Sequence, residues 1–241
     1  MGRQARAQDP FEIEVYPYET AHRGEWELGM HLNYTARGTR DFDGSVAPTD
    51  DQAHFTLELT HGFTNFLEFA AYGLTAYRPG HGFDAAGWRF RTRTRVPESL
   101  GWPVNVGLAV ELEFTRATYD ETTAGLEIRP ILDKTFGRVQ LTFNPTIERG
   151  LRGAEKEWEF EPAGRVGVTL SERFAFGLEY YGKTGLFGDP APGAVAVHQF
   201  FPGIDWKLSE DATLNVGVGF GTTTAGDRLI LKTRFEVPLG E

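Results

Sequence analysis

The feature that most constrains the fold is an alternation of apolar and polar residues, repeated in segments of about ten residues. In residues 24–36 the even positions from Trp26 to Ala36 are apolar, and the odd positions are polar or glycine. Residues 104–115 repeat this pattern, with Glu111 and Glu113 opposite an apolar row. Because successive side chains of a strand point to opposite faces, each segment is predicted to be an amphipathic strand.

The same alternation recurs along most of the chain, whereas few windows show the apolar spacing of a helix. It predicts an all-β fold of about twelve strands. The predicted strands cover residues 24–36, 53–62, 66–77, 85–96, 104–115, 123–134, 139–149, 157–168, 174–183, 194–206, 213–221 and 227–237. For residues 66–77 the preferred outward face is Phe69, Ala71, Gly73 and Tyr77, which leaves Glu68 inside.

The connections and the aromatic residues indicate how such strands would be arranged. Tight turns follow the even-numbered strands, and the longest loops, residues 37–52 and 184–193, follow odd-numbered ones. All five tryptophans fall near a predicted strand end or turn. Two aromatic belts around an aliphatic middle are typical of the two interfaces of a bilayer. The sequence therefore predicts a transmembrane antiparallel up-and-down β-barrel, with its short turns on the periplasmic side. The alternative is a soluble β-sandwich or lipocalin-like binder.

Composition excludes several other classes of protein. Hydrophobic residues make up 40% and charged residues 24%, which argues against disorder. The net charge of -10 argues against nucleic-acid binding, which favours a basic face. The chain has no cysteine, so disulfides, thiolate zinc sites and a lipoprotein anchor are excluded. No cofactor is predicted.

The first 23 residues are interpreted separately from the predicted barrel, residues 24–241. Ala5, Arg6 and Ala7 resemble the end of a signal peptide, although the apolar region that should precede them is missing. We therefore interpret residues 1–23 as a signal-peptide remnant followed by a periplasmic N-terminal arm. Residues 11–15 also alternate, with Glu12 and Glu14 between apolar neighbours, which fits an inward plug as well.

Three segments carry a resemblance to a known class of protein. They are EWELGMHLNY at residues 25–34, ELTHGFT at 58–64 and VGVGFG at 216–221. Over residues 24–237 the chain resembles small bacterial outer-membrane β-barrels of the porin-like or transporter type. The resemblance implies a place in the Gram-negative outer membrane, contact with its lipid, and transport of small solutes or ions. It transfers no catalytic residue. Such barrels commonly end in an aromatic residue, and here Phe235 lies six residues before the end.

The non-lipid faces of the predicted strands are heavily charged. The candidate lumen or constriction residues are Arg89, Arg91, Arg93, Arg95, Glu111, Glu113, Glu127, Arg129, Glu159, Glu161 and Arg234. On the lipid face, each Arg or Lys near the bilayer centre would cost about 2–4 kcal/mol. These residues either form an electrostatic constriction or pair across strands and fill a small barrel. The turn near residues 97–103 is expected to bring Arg89 beside Glu111.

Three functions remain open at this point. The first is a porin-like narrow channel or binding barrel for small solutes or ions. The second is a closed structural barrel that anchors or binds another envelope protein. The third is an outer-membrane lipid hydrolase, suggested only by His198 on an apolar face without a serine partner. His31 and Glu58 are expected to form a hydrogen-bonded pair across the first hairpin rather than a metal site.

Overall fold

The computed structural model describes residues 9–153, 156–190, 196–223 and 226–240. Within these residues there are twelve long strands and a small hairpin of two short ones, β10 and β11. No helix in the described ranges is long and apolar enough to cross a membrane. The strands are β1 Trp26–Arg37, β2 Gln52–Thr64, β3 Leu67–Arg78, β4 Gly82–Arg95, β5 Asn105–Thr115, β6 Ala124–Phe136, β7 Val139–Arg152, β8 Trp158–Thr169, β9 Phe174–Lys183, β10 Gly185–Leu186, β11 Asp189–Pro190, β12 Val197–Lys207, β13 Thr213–Gly221 and β14 Leu229–Pro238.

The long strands form one closed antiparallel ring in chain order. Each pairs with the next, β9 pairs with β12 past the small hairpin, and β14 returns to β1. The closing ladder joins Leu28 to Val237 and Leu32 to Thr233. The prediction of an all-β antiparallel barrel of about twelve strands is therefore confirmed.

The two faces of the wall differ in the way the alternation predicts. On β5, Leu108 is 39% exposed on the outside, whereas Ala109 is 1% exposed on the inside. On β3, Phe69 and Tyr77 point outward and Glu68 is buried, as predicted for this strand. A closed ring leaves no unpaired strand edge, and an apolar exterior is stable against hydrocarbon. The exterior therefore has the apolar character that a lipid-facing surface requires.

The tryptophans lie toward the ends of the barrel, with one correction at Trp88. Trp26 begins β1, Trp158 begins β8 and Trp206 is the second-last residue of β12. Trp88, by contrast, is the seventh residue of β4, because β4 starts at Gly82. The hairpin of β3 and β4 extends beyond the end of β5, whose last residue, Thr115, pairs with Gly87. Trp88 pairs with Phe114 near the end of β5, so it still lies at the loop-side rim.

The loop of residues 38–51, which joins β1 to β2, folds back over the loop-side mouth. The amide of Ala47 donates to the carbonyl of Thr118 at 2.8 Å, in the loop between β5 and β6. The hydroxyl of Thr49 donates to Asp227, in the loop between β13 and β14. Hydrogen bonds to two other loops therefore hold this loop in place as a partial roof.

Candidate functional site

The lumen of the barrel contains the N-terminal segment, residues 9–21. Phe11, Tyr16 and Tyr18 of this segment are buried, and the segment forms no strand. Of the two positions considered for it from the sequence, arm or plug, the structure places it inside the wall. Residues 1–8, including Ala5, Arg6 and Ala7, lie outside the described residues.

Side chains of the wall satisfy the backbone of this segment, which has no sheet partner of its own. Asn144 accepts a hydrogen bond from the Tyr16 amide at 2.7 Å and donates to the Tyr16 carbonyl at 3.2 Å. Thr56 donates to the carbonyl of Phe11 at 2.9 Å, and Lys232 donates to that of Ile13 at 3.1 Å. Buried backbone groups require such partners, so the inward polar residues of several strands hold the backbone of the segment, while Phe11, Ile13 and Val15 pack against apolar residues of the wall.

Arg89 is the most heavily paired of the predicted lumen residues. Its guanidinium, 2% exposed, contacts Glu12 at 2.5 Å, Glu111 at 3.1 Å, and also Asp9 and Glu113. The expected contact with Glu111 is present, but the register differs by two residues. Glu113 lies directly opposite Arg89, and Glu111 lies opposite Arg91.

The other three arginines of β4 lie progressively closer to the turn side. Arg91 contacts Glu58 at 2.6 Å and Glu68 at 3.1 Å, and Arg93 contacts Glu68 at 2.8 Å. Arg95 reaches the rim, where its Nε donates to the carbonyl of Asn65 at 3.1 Å. The arginines of β4 therefore divide between two carboxylate clusters, one around Arg89 and one around Arg91 and Arg93.

The remaining predicted lumen residues form three separate pairings around the wall. Glu127 contacts Arg129 at 2.7 Å, and the Arg129 guanidinium lies 3.9 Å from the centre of the Tyr16 ring. Lys183 contacts Glu159 at 2.7 Å and Glu161 at 2.6 Å. On the far wall, Arg234 pairs with Glu14 and Glu236.

His31 and Glu58 form the hydrogen-bonded pair that the sequence predicts, with 3.3 Å between Nε2 and Oε2. Their pairing is diagonal, because Glu58 lies opposite Gly29 and not opposite His31. Glu12 and Glu14 lie close to His31, and one side-chain ligand atom from each of the three residues lies within 4.8 Å of the other two. These two carboxylates are already neutralised by Arg89 and Arg234, so the cluster is an ion-pair network.

A cavity of about 430 Å³ lies on the loop side of this network, and we call it the vestibule. Its floor is Asp9, Pro10 and Phe11, and its roof comes from residues of the folded-back loop between Thr39 and Thr49. Ten carboxylates line it, against four cationic side chains. The carboxylates are Asp9, Asp41, Asp43, Glu111, Glu113, Asp120, Glu127, Glu148, Glu161 and Asp227, and the cations are Arg40, Arg89, Arg129 and Lys183.

His198, the residue behind the hydrolase alternative, lies on β12 beside Tyr180 of β9. The Tyr180 hydroxyl and His198 Nδ1 are 2.8 Å apart, and the two rings stack with centroids 6.0 Å apart. This pair resembles the aromatic anchors of a membrane interface more than a nucleophile and base.

Sequence reasoning did not assign Asp9, Glu12, Glu14, Tyr16 or Glu148 to the site. The first four belong to a segment whose position in the lumen no local pattern could reveal. The alternation of Glu12 and Glu14 was the only available signal, because it marks a segment with one charged and one apolar side.

The sequence matches no protein-family model, and no curated protein matches it. Solved structures, however, are similar in fold. An outer membrane channel from Pseudomonas putida F1 superposes with a TM-score of 0.66 and 11% identity, over 95% of this chain and 100% of that one. The KdgM porin superposes with a TM-score of 0.58 and 10% identity, over 89% of this chain and 99% of that one. The NanC porin superposes with a TM-score of 0.56 and 8% identity, over 90% of this chain and 100% of that one. The chain thus has the fold of small outer-membrane porin-like barrels.

Proposed function

We propose that the protein is a porin-like barrel of the Gram-negative outer membrane that binds small solutes or ions in its lumen and passes them. The observation that carries the proposal is a charged lumen inside an apolar exterior, with a vestibule at the loop-side end. The structures of similar fold are an outer membrane channel and two porins, which supports the same function. We assign no catalytic activity.

The N-terminal segment determines how wide the path through the lumen is. It lies across the floor of the vestibule, and Tyr16 fills the space between Arg91 and Arg129. Passage of a solute beyond the vestibule therefore requires this segment to shift. Its anchors are ion pairs and hydrogen bonds together with the packing of Phe11, Ile13 and Val15 against buried apolar residues of the wall.

Conductance across planar lipid bilayers tests the proposal. We expect the intact protein to give small conductance steps and a variant lacking residues 9–21 to give steps several-fold larger. Both proteins must first show the migration of a folded barrel on unboiled gels. If the folded deletion variant conducts no ions, the channel is excluded.

A variant of full length separates the role of the segment from the effect of shortening the chain. Glu12→Gln with Glu14→Gln removes the segment's partners for Arg89 and Arg234, so we expect more frequent openings. Glu19→Gln, an exposed position on the same segment, is the matched control.

The closed structural barrel remains the second candidate because the turn-side half of the lumen is filled by paired side chains, including Arg91, Glu58 and Glu68. It predicts no conductance from the intact protein or from either segment variant. The same bilayer measurements therefore decide between the two.

A further inference from the structure

Four glutamates lie side by side across four neighbouring strands of the lumen. Glu111 of β5 is directly opposite Glu127 of β6, Glu127 is opposite Glu148 of β7, and Glu148 is opposite Glu159 of β8. We call these four residues the glutamate row. Directly opposite residues on antiparallel strands have Cβ atoms roughly 4.5–5.5 Å apart, and like charges at that distance destabilise a sheet.

Three members of the glutamate row have a cationic partner. Glu111 contacts Arg89 at 3.1 Å, Glu127 contacts Arg129 at 2.7 Å, and Glu159 contacts Lys183 at 2.7 Å. In the described ranges Glu148 forms no hydrogen bond or salt bridge, and the cation that acts on it electrostatically is Lys183, which is already paired with Glu159 and Glu161. The Glu148 carboxylate lines the vestibule. Lys183 is therefore shared among three carboxylates, and Glu148 is the member of the row that has no salt bridge of its own among the described residues.

A second polar group of the vestibule also has no partner. Thr122 is 6% exposed and lines the cavity, and its hydroxyl has no hydrogen-bond partner among the described residues. A buried hydroxyl without a partner costs about 1–3 kcal/mol. Such a group is satisfied when a donor or acceptor enters the cavity beside it.

The size and the remaining lining of the vestibule indicate what kind of cation fits. A volume of about 430 Å³ is within the range of pockets for small organic molecules, and is far larger than one metal ion. Phe11 and Tyr119 line it with ring centroids 5.8 Å apart. Aromatic rings beside carboxylates suit an ammonium group on a carbon skeleton, because the rings pack against the methylene groups while a carboxylate binds the ammonium group.

We propose that the vestibule binds a small organic amine, with its ammonium group at Glu148 and Thr122 and its carbon skeleton against Phe11 and Tyr119. The proposal rests on the proposed function and names the solute class of that barrel. The amine supplies Glu148 with a positive charge of its own, and it supplies a donor for the Thr122 hydroxyl. The surplus of carboxylates around the cavity attracts it from the loop side.

Isothermal titration calorimetry of the full chain in detergent, at ~0.15 M salt to screen nonspecific charge effects, tests the proposal. The probe is pentane-1,5-diamine, and glutarate is the anion of equal length. We expect saturable binding of the diamine and none of glutarate. We expect Glu148→Gln to weaken diamine binding by about tenfold or more, the loss of one charge-assisted contact. Thr122→Val should weaken it several-fold.

The control for charge is Glu210→Gln, an exposed position in the turn between β12 and β13, which should leave diamine binding unchanged. Glu148→Gln removes a like charge from the row, so we expect this variant to remain folded and heat-modifiable on gels. Absence of diamine binding, or binding that Glu148→Gln does not weaken, would overturn the proposal. So would a site that takes Ca²⁺ in preference to the diamine.

Calorimetry on the intact protein does not require conduction. A conducting barrel that fails to bind the diamine therefore contradicts this inference alone. A segment-deletion variant that does not conduct contradicts the proposed function instead.

Discussion

Arg89 illustrates, at the scale of single residues, how a buried charge is tolerated in this lumen. Two of its partners, Glu111 and Glu113, come from the adjoining strand, and two, Asp9 and Glu12, come from the N-terminal segment. Burying an isolated guanidinium would be very costly, and the surrounding carboxylates offset that cost. The same residue thus stabilises both the wall and the segment that fills it.

Replacing Arg89 should be more damaging than removing a complete pair. Arg89→Gln leaves four carboxylates facing one another, and we expect the free energy of unfolding to fall by about 3–5 kcal/mol. In the double variant with Glu111→Gln one of these charges is gone, so the loss should be smaller than in the single variant. Thermal unfolding of both proteins in detergent measures the difference. Losses that simply add would contradict the pairing.

Asp227, in the loop between β13 and β14, makes the packing of the loops depend on pH. Burial raises the pKa of this carboxyl from 3.8 to about 6, against the opposing hydrogen bond from Thr49. The folded protein therefore favours the protonated form. The stabilisation is complete below pH 3.8 and is lost as the pH rises through about 6.

Asp227→Asn should remove this dependence. The variant resembles the protonated wild type, so we expect it to be more stable than the wild type at pH 7 by about 1–3 kcal/mol and similar near pH 4. Thermal unfolding at both pH values, compared with the exposed Asp41→Asn, gives the difference. Equal pH profiles for Asp227→Asn and the wild type would show that this carboxyl does not control the loops.

At the scale of elements, each strand separates lipid from lumen by the direction of its side chains. On β5, Leu108 faces outward and its neighbour Ala109 packs inside with Tyr16, Tyr18 and Ile131. A change of one residue along the strand thus moves a side chain from the outer surface to the packed interior of the lumen.

The two neighbours on β5 should respond differently to polar substitution. Leu108→Arg places a charge in lipid and should destabilise the barrel by about 2–4 kcal/mol. Ala109→Ser adds one hydroxyl group to the side chains packed in the lumen and should cost less, about 1 kcal/mol. Folding titrations into lipid vesicles measure both. Equal sensitivity at the two positions would mean that the faces are assigned incorrectly.

At the scale of the whole molecule, closure of β1 on β14 makes the ring one cooperative unit. A closed barrel has no edge at which unfolding can begin, so detergent alone should not open it. We expect unboiled samples to migrate differently from boiled ones on SDS gels, with a β-type circular dichroism spectrum. Identical migration together with a helix-rich spectrum would contradict the fold.

Ion selectivity is the second property of the whole molecule. Arg91 and Arg93 lie along the path that removal of the N-terminal segment would open, between Glu58, Glu68 and Tyr16. In the variant lacking residues 9–21, changing both arginines to glutamine should shift selectivity toward cations. Reversal potentials in a salt gradient measure this, and an unchanged value would place the two arginines off the path.

The alternation of side chains by itself determined the strand count, the lipid and lumen faces, and the charged character of the interior. These follow from local physics, because a two-residue period is a property of each strand and the lipid face excludes charge at every position. Hence the alternation predicts the two faces of β3 correctly, with Phe69 and Tyr77 outside and Glu68 inside.

Only the tertiary structure decided which charges meet. The register of β4 against β5 differs by two residues from the expected one. Arg95 pairs with Gly107, so the turn between the strands contains two more residues than the expected pairing allows. The position of residues 9–21 depends on contacts such as Tyr16 with Asn144, 128 residues apart in the chain. No local pattern encodes a partner at that distance. The glutamate row, likewise, exists only because four strands align in register.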